Sequence, residues 1–271
     1  MRRARRILAI VGAVLGGTYL AVTLAACLGQ RALIFPAPQG ARVPELAGAA
    51  LLKLPGPGGS TVYALHLPAP EGAATVAYFH GNAEQLADGV PLAEYYRAAG
   101  LGFFEVEYPG YGLAGAQAPS EEALYAAAEA GLVHLKGELH VAPGLVVLQG
   151  RSLGTGVAVE MAKRGHGARL ALISPYTSIT DLAHRLVPFL PTGSLVFDRF
   201  DSASKAALLS LPVLIIHGTA DQVIPVEMGI RLGALIPKAT VQLVEGAGHN
   251  DLLGRAQVLD ALVGFARAAK P

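Results

Sequence analysis

The stretch Leu145-Val146-Val147-Leu148-Gln149-Gly150-Arg151-Ser152-Leu153-Gly154 decides the fold. An apolar run predicts a buried strand, two glycines flank a serine, and residues 154–163 are compatible with a helix. A serine in G-x-S-x-G between strand and helix sits on a sharp, strained turn. The glycines there let strand and helix approach without Cβ collisions. The following helix turns its positive end toward charge developing at the serine. The motif alone is weak, since any turn serine can match it. Its setting, ending an apolar strand and opening a helix, makes Ser152 a candidate nucleophile.

Working outward, the same alternation continues. Short apolar runs at 61–67, 74–79, 101–108, 145–148, 169–173, 212–217 and 240–244 are predicted strands, with helices at 83–99, 120–135, 154–163, 226–235 and 251–268. Continuous apolar strands separated by helices imply an α/β fold, a mostly parallel sheet with helices on both faces. Residues 31–59 carry five prolines, Pro36, Pro38, Pro44, Pro55 and Pro57, and read as a linker followed by an edge strand. Residues 176–211 are too long for an ordinary connection and are expected to form a small cap after the sixth strand. No period of 20–50 residues repeats, which excludes solenoids and propellers.

Composition narrows the function classes. The 271 residues are 52% hydrophobic, enough for a full core, and 21 Lys+Arg nearly cancel 20 Asp+Glu. With no basic stripe after the first six residues, nucleic-acid binding has no support. The single cysteine excludes an internal disulfide framework and any multi-cysteine zinc site. No metal or other cofactor is expected.

The N-terminus points to a membrane. Met1 to Arg6 reads MRRARR, and no charge occurs from Ile7 to Gln30. A helix of that length crosses a hydrocarbon core of roughly 30 Å. Arginines before the span favour a cytoplasmic N-terminus, with the catalytic domain, residues 31–271, on the non-cytoplasmic side. Leu24-Ala25-Ala26-Cys27 resembles a lipobox, so a lipoprotein held through Cys27 is the alternative to a transmembrane anchor at 1–30. A cleaved, secreted product is a third reading.

A serine nucleophile needs a base, and the base an orienting carboxylate. Asp221 lies on the loop after strand 212–217, and His249 in the glycine-flanked loop after strand 240–244. All three candidates thus follow strand C-terminal ends, where open α/β sheets place their sites. Asp198 and Asp201 read as surface charges of the cap, Asp251 as a cap of the last helix, and His217 as a structural histidine. An oxyanion needs two donors. The backbone N–H of Leu153 is one; Asn82, on the loop after strand 74–79, is the preferred second, with Ala83 the alternative. His80 is expected to fix that loop by a hydrogen bond, and Arg151 to be structural or paired with a carboxylate, binding of an anionic substrate group being the other reading.

Taken in order, several segments resemble the α/β-hydrolase superfamily, specifically its membrane-anchored subgroup related to serine aminopeptidase-type hydrolases. They are Leu33-Ile34-Phe35-Pro36, Phe79-His80-Gly81-Asn82-Ala83, Tyr108-Pro109-Gly110-Tyr111-Gly112 and the segment around Ser152. Ser174-Pro175-Tyr176-Thr177-Ser178, His217-Gly218-Thr219-Ala220-Asp221 and Gly246-Ala247-Gly248-His249-Asn250-Asp251 complete the set. The resemblance covers roughly residues 30–263 and implies the triad Ser152, Asp221 and His249. Two departures, Glu107 where the subgroup usually has aspartate and Leu113-Ala114-Gly115 where a serine is common, bear on loop packing and pocket shape.

The chemistry expected is hydrolysis of a carboxylic ester or thioester through an acyl-enzyme, on a small-molecule, acylated or lipid-like substrate. Dehalogenases and many epoxide hydrolases of this scaffold carry aspartate at the elbow, which Ser152 opposes. The alternatives are an amidase or peptidase on the same triad, or a catalytically silent, membrane-tethered binding protein.

Overall fold

The computed structural model of the chain describes residues 2–38 and 40–268. Met1 of the expected anchor, Gln39 of the expected linker and residues 269–271 lie outside them. In chain order the elements are α1 (Arg2–Ile34), β1 (Ala50–Pro55), β2 (Thr61–Leu67), β3 (Thr75–Phe79), α2 (Val90–Ala98), β4 (Gly102–Val106), α3 (Glu121–Gly137), β5 (Val146–Arg151) and α4 (Leu153–Lys163). There follow β6 (Arg169–Ile173), α5 (Ile179–Leu186), α6 (Thr192–Leu195), α7 (Ala203–Ala206), β7 (Val213–Gly218), α8 (Val226–Leu235), β8 (Ala239–Val244) and α9 (Ala256–Arg267).

Among the described residues the strands form one eight-stranded sheet in the order β1-β2-β4-β3-β5-β6-β7-β8. β1 and β2 pair antiparallel, β2 runs antiparallel to β4, and the remaining neighbours are parallel. Strand side chains alternate between faces. Leu148, Leu170 and Ile215 join one buried cluster with α3, α4 and α8. Val147 packs with α2 residues on the other face, and Ile173 and Ile216 pack there with α9. Both faces are covered, so the strands read as continuous apolar runs. β3 has β4 on one side and β5 on the other. The order therefore reverses between β3 and β5, and the loops beyond their C-terminal ends flank a crevice.

Several boundaries differ from expectation, each for a local reason. The helix expected from residue 83 starts at Val90, because Ala83 takes a left-handed φ of 60° and Gln85 and Asp88 close a capping box around one 3-10 turn. The last helix starts at Ala256 after a 3-10 turn, Leu252–Gly254; Asp251 pairs with Arg255 at 2.6 Å instead of capping it. The expected linker does not begin at Arg31. α1 runs on to Ile34, and Phe35 enters the core, where its ring meets Phe200 edge-on at 6.1 Å. Asp198 is not a surface charge. It is buried, accepting from the Glu121 N–H at 2.8 Å and from Arg31 Nε at 3.0 Å. α5, α6 and α7 occupy the connection between β6 and β7.

Candidate active site

β5 ends in a turn at which Ser152 has φ 50° and ψ −118°. The backbone there is too close to its neighbours for side chains on either flank. A Cβ at Gly150 would lie 2.7 Å from Thr155 Cα, and one at Gly154 would lie 2.6 Å from the His80 carbonyl. Ser152 Oγ is 2.9 Å from His249 Nε2, and His249 Nδ1 is 2.8 Å from Asp221 Oδ2. A carboxylate can only accept, so Nδ1 carries the proton and Nε2 accepts from the serine hydroxyl. The other Asp221 oxygen accepts from the Val223 and Ile224 N–H groups at 2.9 and 2.8 Å.

The loop after β3 lies against the elbow: a Cβ at Gly81 would be 3.4 Å from Ser152 Cβ. The Ala83 N–H donates to the Pro36 carbonyl at 3.1 Å, which removes Ala83 as an oxyanion donor. The backbone N–H groups of Asn82 and Leu153 have no acceptor among the described residues. The structure joins Ser152, His249 and Asp221 in one hydrogen-bond chain; Leu153 follows the serine directly, and Asn82 follows Gly81, which abuts it.

No family model matches the chain. The α/β-hydrolase domain-containing protein 17C of Xenopus tropicalis is 38% identical over 197 residues, covering 70% of this chain and 61% of that protein. The chain belongs to the α/β-hydrolase superfamily. The human protein of that name is 36% identical over 203 residues, and this chain covers 59% of it. This α/β-hydrolase thus spans about three fifths of the length of those curated relatives. An uncharacterised Mycobacterium tuberculosis protein is 36% identical, with 69% of this chain and 67% of that protein covered. Two solved structures share the fold. An esterase from Pyrococcus furiosus has a TM-score of 0.68 at 14% identity, covering 84% of this chain and 97% of its own. A puromycin-hydrolyzing peptidase from Mycobacterium tuberculosis has a TM-score of 0.68 at 19% identity, covering 85% and 42%.

The surroundings of the site explain its electrostatics. Burial favours the neutral form of Asp221. Hydrogen bonds from His217, His249 and the Ile224 N–H outweigh that and hold the carboxyl far below the usual carboxylate range. His217 is buried, its Nε2 2.9 Å from the Ile224 carbonyl and 3.4 Å from Asp221 Oδ2, in agreement with a structural role. His80 is also structural. Its Nδ1 lies 2.9 Å from the Gly81 carbonyl and its ring is 4.0 Å from that of Tyr108.

Sequence reasoning missed the partners of two residues it named. Arg151 is ion-paired with Glu84 and donates to Asn250 Oδ1 at 2.9 Å, while Glu84 Oε2 accepts from the Gly81 N–H at 2.8 Å. Arg151 therefore clamps the elbow to the loops carrying Asn82 and His249. The Asn82 amide accepts from Tyr111 Oη at 2.6 Å and donates to the Ile34 carbonyl at 2.8 Å. Among the described residues no cluster suited to a metal ion occurs.

Proposed function

We propose that this α/β-hydrolase cleaves carboxylic esters or thioesters through an acyl-enzyme. The observation that carries the reading is the unbroken hydrogen-bond chain from Ser152 Oγ through His249 to Asp221. As Ser152 Oγ attacks the acyl carbon, its proton passes to His249 Nε2, and the anionic Asp221 stabilises the imidazolium. The negative oxygen of the tetrahedral intermediate accepts from the Asn82 and Leu153 N–H groups at the positive end of α4. His249 then returns the proton to the leaving oxygen or sulfur. Water, activated by the same imidazole, releases the acid and restores Ser152.

The cap is assigned to residues 176–211 and the anchor to α1, whose length and apolarity suffice to cross a membrane. The arginines at its start favour a non-cytoplasmic catalytic domain. Cys27→Ser with metabolic fatty-acid labelling checks the anchor: membrane retention without label supports the helix, and label lost in the variant supports a lipid on Cys27. For catalysis, a fluorophosphonate probe is expected to label the wild type and not Ser152→Ala. A wild-type protein that resists the probe and leaves p-nitrophenyl esters of every chain length intact would rule out this chemistry.

A further inference from the structure

α1 does not leave the domain as a free tether. Its last turns, together with α5 and α6, enclose a cavity of about 280 Å³, near the lower end of the roughly 300–1,000 Å³ usual for small-molecule sites. The lining is aliphatic apart from Gln30, Asn82 and Thr192. The two amides are already engaged. Gln30 Nε2 donates to the Cys27 and Leu195 carbonyls at 2.8 and 3.0 Å, and its Oε1 accepts from the Phe197 N–H at 2.9 Å. Asn82 is held by Tyr111 and Ile34 as described. A pocket of this kind has little to offer a charged group and much to offer an alkyl chain. Ser152 does not line it. The two meet at Asn82, whose neighbour Gly81 abuts the serine.

The mouth is as informative as the lining. Leu33 and Leu186 line the cavity yet are 77% and 73% exposed, so leucines rather than charges rim the opening. Beside them Phe189 is 63% exposed, and its carbonyl accepts from Tyr19 Oη at 3.2 Å. Tyr19 precedes Ile34 by about 22 Å of helix, well inside the uncharged run. Phe189 therefore sits alongside the part of α1 that suits hydrocarbon, and Leu33 lies just past the end of that part. An exposed apolar rim at that level fits lipid rather than water.

We propose that this cavity receives a single fatty acyl chain of the substrate from the bilayer, with α1 as one wall, and that Ala26 and Ala183 set the chain length accepted. The inference rests on the hydrolase reading above and narrows its substrate class to long-chain esters or thioesters embedded in a membrane. The carbonyl would lie at Ser152 with the chain running past Asn82.

The test uses the full chain in lipid nanodiscs. Ala26→Trp fills the cavity from α1, Ala183→Phe from α5, and Leu15→Trp, on an outward-facing part of α1, is the control. In wild type and Leu15→Trp, kcat/KM for dodecanoyl over butyryl p-nitrophenyl esters is expected to favour the long chain. Each cavity variant is expected to lower that ratio at least about tenfold. A ratio unchanged in both cavity variants overturns the pocket, provided the fluorophosphonate probe labels Ser152. A second readout needs no catalysis: a hexadecanoyl diazirine probe in the nanodisc is expected to crosslink the Ser152→Ala chain within residues 26–34 or 179–196, and Ala26→Trp to abolish it. Absence of crosslinking there overturns the pocket even if ester hydrolysis fails, so the two readings fail separately. A glycerolipid monoester and an S-acyl cysteinyl peptide in the same nanodiscs distinguish the sources of the chain. For whichever is cleaved, turnover that falls in Ala26→Trp supports the pocket and turnover that does not counts against it.

Discussion

Ser152 occupies a backbone conformation that L-residues avoid, at φ 50°. Such strain costs on the order of 1–3 kcal/mol and is held in place by the surrounding packing. Glycine adopts it freely at an unfolded-state cost of about 0.5–1 kcal/mol. Ser152→Gly is therefore expected to melt higher than Ser152→Ala although both lack the proposed nucleophile, and thermal unfolding of the two side by side checks this. Asp221 gives a second residue-scale expectation. Its folded pKa lies below its unfolded value of about 3.9, so its ionised form adds stability above that pH, and the contribution is lost as pH falls toward the folded value. Asp221→Asn should lower kcat by roughly 10⁴-fold, and its melting-temperature deficit at pH 7 should shrink at pH 3. A deficit that stays constant across that range would show the carboxylate is not the stabilising species. The placement of Ser152, Asp221 and His249 was legible because each follows a strand end. The contacts of Asn82 were not: they depend on Tyr111 and Ile34, far away in the chain, and no local pattern encodes such pairs.

Between elements, two polar groups show how the catalytic loops and the sheet are held. Arg151 joins β5 to the loop after β3 and to the loop bearing His249. Arg151→Met is expected to lower kcat about tenfold with KM little changed, as for a group that positions others. Glu84→Gln should behave alike, and the double variant should be no worse than either single one, since both break one network. Additive losses in the steady-state rates would mean the two side chains act separately. On β4, Glu105 is fully buried, neither carboxyl oxygen has a hydrogen-bond partner among the described residues, and its carboxyl lies against Gly89. Burial, reinforced by Glu107 and Asp88, raises its pKa well above the usual value. The fold thus keeps the proton while the unfolded chain releases it above about pH 4.3, so its stability contribution is lost as pH rises. Glu105→Gln removes that loss, and its advantage in melting temperature should widen from pH 4 to pH 8. Strands were readable from apolar runs, and the starts of α3, α4 and α8 were readable to within a residue, whereas the order of strands in the sheet and the starts of α2 and α9 were not. The onset of α2 waits on a left-handed Ala83 and the Gln85–Asp88 capping box, which are features of the folded loop.

At the scale of the whole molecule, α1 is wired into the site. The Ile34 carbonyl accepts from the Asn82 amide and the Pro36 carbonyl from the Ala83 N–H, while Gln30 and Arg31 hold the α6–Asp198 segment. Deleting residues 2–26 leaves these bonds in place. Deleting residues 2–36 removes them and frees the loop that carries the proposed oxyanion donor, a group worth about 10²–10³ in rate. The longer deletion is therefore expected to react with the fluorophosphonate probe at least about tenfold more slowly than the shorter one. Equal labelling rates would show that the loop keeps its shape unaided. The apolar span was plain in the sequence, but the prolines of the segment that follows, residues 31–59, suggested slack after Gln30. Burial of Phe35 and Asp198 takes that slack up.

The missing slack has a geometric consequence. A catalytic domain on a flexible leash samples a range of distances from a bilayer, and any substrate within reach of the leash is equal to it. Here the helix enters the core directly through Phe35, so with α1 spanning a membrane Ser152 works at one fixed height above it. The protein then acts as a gauge. It selects scissile bonds by their depth along the membrane normal, and a substrate whose head group holds that bond a few ångströms too high is refused by position alone.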